Sequence, residues 1–143
     1  SIQLCEQLIA QHAITAVCGS SLGGFYALYL AEKYSLRCGL INPAITPWVD
    51  MEQAENHERY EIDELDLQAN GHYVDQLKPY YTPTLTHPEH FLALIGLADE
   101  VLDPQQMRRH LAAARQIIVP EGDHAMSDFG GHLDELMRFV QSE

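Results

Sequence analysis

A chain of 143 residues that is 46% hydrophobic can bury one sizeable core and hardly two, so residues 1–143 read as a single domain. A net charge of -13 excludes a nucleic-acid or anionic-membrane partner, because phosphate contact needs clustered Lys and Arg and only 8 such residues exist. No apolar run reaches the ~20 residues that span a bilayer, the opening "SIQLCEQLIAQH" lacks the basic-then-apolar plan of a signal peptide, and the odd set Cys5, Cys18 and Cys38 suits reduced, buried thiols. The expectation is a soluble, cytoplasmic protein.

In chain order, Ile2, Cys5 and Ile9 share one face of a first helix, and "AITAVCG" reads as a strand bounded by Gly19. "GGFYALYLAEKY" is apolar almost all round before its charged end, as a helix covered on several sides is. "LRCGLIN" is the second strand, stopped by Asn42 and Pro43. "HFLALIG" is the third and "RQIIVP" the fourth, with "PQQMRRHLAAA" a helix between them. Leu133, Leu136, Met137 and Val140 follow helical spacing in a last helix. Continuous apolar strands that alternate with helices imply an α/β fold, a three-layer α/β/α arrangement around a mostly parallel sheet.

The interval 42–90 breaks that rhythm. It is rich in Pro, Tyr and His, and from Asp50 to Asp66 eight carboxylates face one arginine. Two readings stand: a solvated helical excursion whose charges point at water, or a lid-like acidic insertion over an active site.

At the first strand-to-helix junction, "GSSLGG" scans as G-x-S-x-G on Gly19, Ser21 and Gly23. A serine on so sharp a turn is strained, and the residues two before and two after it approach closely, so small side chains are required there. Ser20 lacks glycines at that spacing and reads as a hydrogen-bonding neighbour. The alternative is a glycine-rich loop that lets the helix pack closely or cradles a phosphate.

A serine hydroxyl needs a base to take its proton, and the base needs an acid to hold its tautomer. "GLADEVLDP" offers Asp99, Glu100 and Asp103 just past the third strand. Asp103 precedes Pro104 and is explained as a helix cap, which leaves Asp99 as the acid. Of eight histidines, His12, His57, His72, His110 and His132 sit in helix-like or acidic segments and read as solvated, and His87 and His90 flank Pro88 without the partners of a zinc site. His124 lies a few residues beyond the fourth strand in a Gly-Asp turn, on the sheet edge expected to carry Ser21 and Asp99.

Together, "GSSLGGFYALYLAEKY", "LINPAITPW", "GLADEVLDPQQ" and "EGDHAM" resemble the small YqiA-type bacterial esterases of the α/β-hydrolase superfamily, from about Ala13 to the C-terminus. The resemblance implies a nucleophile at Ser21, an acid at Asp99, a base at His124 and an oxyanion-hole N–H at Leu22. It implies hydrolysis of small neutral esters through an acyl-enzyme, with no cofactor. Thioesterase, lipase or peptidase activity on the same triad, or a silent binding module, are the alternatives.

Family members begin with a strand ending in a His-Gly loop that gives a second oxyanion donor. The residues given contain no such segment, as expected of an N-terminally incomplete chain or of one with impaired activity. The apolar strand at 13–18 belongs in the middle of a sheet, so its free edge is expected to be covered by a further strand, an exchanged segment or a second copy in a homo-oligomer.

Overall fold

The computed structural model describes residues 2–56 and 74–142. Its elements run α1 (Ile2–Gln11), β1 (Ala16–Ser20), α2 (Leu22–Tyr34), β2 (Arg37–Ile41), α3 (Pro47–Asn56), β3 (Phe91–Gly96), α4 (Pro104–His110), β4 (Arg115–Val119) and α5 (Leu133–Gln141). The four strands lie in sequence order in one sheet, every neighbouring pair parallel. All four therefore end on the same edge of the sheet.

Alternation along the strands sorts the two faces. Cys38, Leu40, Phe91, Ala93 and Ile95 join Phe25, Leu28 and Ala31 of α2 and Met107 of α4 in the larger core, all buried. The opposite face carries Leu94 and Val119 with Met126. There α5 comes so close that a Cβ added at Gly39 would lie 2.6 Å from Leu136 Cδ1. Helices on both faces make the three layers read from the sequence. β3 is buried at all six positions, which explains why its sequence is apolar without alternation.

β1 departs from its expected span. It starts at Ala16, whose partner in β2 is Arg37, and extends through Ser20. Upstream of Ala16 only Thr15 bonds to β2, its carbonyl accepting from Arg37 N (3.1 Å), so residues 13 and 14 lie outside the paired register. Among the described residues β1 pairs with β2 alone. α1 docks at its C-terminal end through Ile9, and Glu6 Oε1 lies 2.6 Å from Lys33 Nζ of α2. A cavity of about 900 Å³ opens between α1, the outer side of β1 and α2, touching Val17, Cys18 and Tyr26.

The interval 42–90 is partly built into the core. Pro43, Ala44, Ile45 and Leu77 are buried, and Trp48, Met51, Tyr80 and Leu85 pack against the larger cluster. Trp48 meets Phe25 and Tyr81 edge to face. The most acidic part of the expected lid, with His57 and His72, lies in residues 57–73, outside the described residues. Of the thiols only Cys38 is buried; Cys5 and Cys18 are exposed, in keeping with an α1 that buries no residue.

Candidate active site

The chain turns sharply between β1 and α2 on a single residue. Ser21 has φ 53° and ψ -123°, a conformation that L-residues rarely adopt. Hydrogen bonds over-determine it: its N–H donates to Ile41 O (3.1 Å), while its carbonyl accepts from Gly24 N (3.0 Å) and Ala44 N (2.9 Å). The end of β2, the segment that follows it and the first turn of α2 thus hold the serine backbone in place.

The glycines around it divide differently from the sequence reading. A Cβ at Gly19 would sit 2.2 Å from Gly23 O, and one at Gly24 would sit 2.7 Å from Pro43 Cβ, whereas one at Gly23 would meet nothing within 4 Å. Gly19 and Gly24 are the positions that must be small. Leu22 opens α2, so its N–H has no carbonyl within the helix to bond. Ser20, expected as a hydrogen-bonding neighbour, is exposed and makes no side-chain hydrogen bond among the described residues.

Asp99 follows the end of β3. Its Oδ1 accepts from the backbone N–H groups of Val101 and Leu102, both at 2.8 Å. Its side chain is fully buried and meets His124 Nδ1 at 2.9 Å through Oδ2, while the His124 side chain stays 21% exposed. A buried carboxylate on Nδ1 fixes the tautomer that leaves Nε2 free to accept a proton. The acid and base loops also touch through backbone: Ala98 N donates to Gly122 O (3.0 Å), and a Cβ at Gly96 would lie 2.3 Å from that oxygen.

Ser21, Asp99 and His124 therefore stand on loops beyond the same sheet edge, and Asp99 and His124 are in direct contact. The Ser21 hydroxyl has no hydrogen-bond partner among the described residues, so the structure does not join Ser21 to His124. Asp103 caps α4 through Gln105 N (2.8 Å), as its place before Pro104 implies.

Three residues near the site hold places that the sequence reading did not give them. Glu100 Oε2 accepts from the His124 backbone N–H (3.0 Å), and its place beside Asp99 was the only signal. Asn42, read as a strand stop, is completely buried. Asp50, read among charges that point at water, has Oδ2 buried without a hydrogen-bond partner among the described residues. Burial, then Asp103 and Asp99, push its carboxyl up to about 6. His110 also differs from the solvated reading, since its Nε2 lies 2.7 Å from Thr82 O and its ring rests against Tyr81.

The sequence matches the family described as "Uncharacterised protein family (UPF0227)" over residues 1–141. Among solved structures, the fold resembles a protein from Agrobacterium vitis S4 at 20% identity and TM-score 0.61, over 88% of this chain and 61% of that one. It also resembles an esterase from Pyrococcus furiosus (12%, TM-score 0.58, 96% and 58% of the two chains) and an alpha/beta superfamily hydrolase from Oenococcus oeni PSU-1 (15%, 0.58, 97% and 72%). The chain spans about three-fifths of the length of the first two. At these identities the likeness is one of fold, the α/β-hydrolase fold.

Proposed function

The chain belongs to the UPF0227 family, and we propose that it is a serine hydrolase that cleaves small neutral carboxylic esters through Ser21, His124 and Asp99. The observation that carries this reading is the 2.9 Å contact from His124 Nδ1 to the buried Asp99 carboxylate, on the edge where Ser21 occupies its strained turn. A buried carboxylate has little reason to grip a partly exposed imidazole for stability alone, whereas a base must be held in one tautomer to work.

Mechanism follows from the roles. Ser21 Oγ attacks the ester carbonyl carbon while His124 Nε2 takes the hydroxyl proton, and the resulting imidazolium is stabilised by Asp99. The oxyanion accepts a hydrogen bond from Leu22 N–H. Collapse expels the alcohol, which takes the proton from His124, and water then repeats the sequence on the acyl-serine to release the acid. A nucleophile and base not yet joined by a hydrogen bond are common before substrate binds. Net charge of -13 and the half-buried Asp50 near Asp99 disfavour anionic substrates such as acyl-CoA, so small neutral esters fit best.

Labelling with a fluorophosphonate tests the reading, since only an activated serine reacts. The expected result is a single adduct on Ser21, lost in Ser21→Ala, together with turnover of neutral p-nitrophenyl esters in preference to thioesters and anilides. The unjoined Ser21 hydroxyl favours one other reading, a silent binding module. An unlabelled, inactive but folded protein would establish it.

A further inference from the structure

We infer that Asn42 is a positioning residue for His124: its buried carboxamide ties the loop that carries the base to the ends of β2 and β3 and so fixes the imidazole relative to Ser21 and Asp99. The inference rests on the serine-hydrolase reading.

A primary amide brings one acceptor oxygen and two N–H donors to a strand end. At Asn42 three bonds are made. Oδ1 accepts from Gly96 N at 2.8 Å, and Nδ2 donates to Asp123 O at 2.8 Å and to His124 O at 3.0 Å. The partners fix which end is which, because two carbonyls demand the NH₂ group and one N–H demands the oxygen. Nothing of the residue is exposed, so no water can replace these bonds, and each one lost leaves a buried polar group unpaired.

The neighbours of Asn42 hold the nucleophile. Ile41 O accepts from Ser21 N, and Ala44 N donates to Ser21 O. On the other side Gly96, which donates to Asn42, accepts at its own carbonyl from Asp99 N (3.3 Å). The segment around residue 42 thus lies between all three loops: backbone bonds reach the nucleophile, and the side chain reaches the start of the acid loop and the base itself. Backbone conformation suits the choice, since Asn42 has φ 40° and asparagine tolerates the left-handed region better than most residues. Aspartate would face two carbonyl oxygens with a third negative oxygen. Glutamine would be one methylene too long for a site without free space.

The direct test compares Asn42→Gly, which keeps the backbone conformation and removes all three bonds, with Asn42→Asp, which keeps only the acceptor. Misplacement of the base by about 1 Å costs about 10²-fold in rate. With a neutral p-nitrophenyl ester, kcat should fall by that factor in both variants, while KM stays within about twofold of wild type. The ¹H resonance of the His124 Nδ1 proton shared with Asp99 should shift or broaden in both. A folded Asn42→Gly protein with wild-type kcat and an unmoved resonance overturns the inference.

Should both variants fail to fold, hydrogen exchange on the wild-type protein decides. The Gly96 amide should be protected and should open together with the Ala98 amide that donates to Gly122 in the base loop; an unprotected Gly96 amide overturns the clamp. A wild-type protein that hydrolyses nothing and takes no label on Ser21 would end the hydrolase reading alone, because the resonance and the exchange pattern need no turnover.

Discussion

The Nδ1 atom of His124 lies 2.9 Å from Oδ2 of Asp99, and Oδ1 of the same carboxylate receives Val101 N and Leu102 N at 2.8 Å each. One oxygen thus serves mainly the loop and the other mainly the imidazole. Asn at position 99 can keep the first role, with its oxygen toward the two N–H groups, but then turns an NH₂ group toward Nδ1 and forces the wrong tautomer. Asp99→Asn should therefore melt near wild type while its turnover falls about 10⁴-fold. A variant that loses stability but keeps turnover would assign Asp99 to the loop only.

Strain at Ser21 separates two replacements that both remove the nucleophile. Alanine inherits the φ of 53°, whereas glycine adopts it freely. Ser21→Gly should be the more stable of the two by about 1 kcal/mol, with neither labelled by a fluorophosphonate. Equal melting temperatures would mean that the turn stores no strain.

Glycine substitutions at the elbow should sort by what a Cβ meets, not by the G-x-S-x-G pattern. Gly19→Ala drives a methyl into the Gly23 backbone and Gly24→Ala drives one into Pro43, so both should lose about 2–3 kcal/mol or fail to fold. Gly23→Ala meets open space inside a helix and should be neutral or stabilising by up to about 1 kcal/mol. Urea melts of the three variants give the ranking, and a destabilised Gly23→Ala would refute it.

Strands were legible in the sequence because a parallel sheet covered on both faces makes each strand a continuous apolar run, as in Phe91–Gly96. Asp99 and His124 were legible because each falls just past such a run. Asn42 was not: its amide reaches carbonyls 81 and 82 residues away, and no local pattern encodes so distant a partner. Gly24 escaped for a similar reason, since the contact that demands its size is with Pro43 on another element. The start of β1 was misplaced because apolar character extends to Ala13, while the ladder begins only where Arg37 supplies a partner.

Asp50 makes stability depend on pH in the sense opposite to a paired carboxylate. Its Oδ2 is buried without a hydrogen-bond partner among the described residues, and burial, then Asp103 and Asp99, lift its carboxyl from 3.8 to about 6. Between those values the folded protein holds a proton that the unfolded chain has released, so folding stability from this group is present at low pH and is lost as pH rises through about 6. Above that the charged form is a standing penalty. Asp50→Asn removes it at every pH, so the variant should match wild type near pH 4 and exceed it at pH 7–8. The gain there should be about 1 kcal/mol, smaller than the full shift implies because solvent still reaches part of the side chain. In thermal melts this is a rise of roughly 3 °C at pH 8 that vanishes by pH 4. A variant no more stable than wild type at pH 8, or one whose advantage is largest at pH 4, would show that Asp50 finds a partner in solution that offsets its burial.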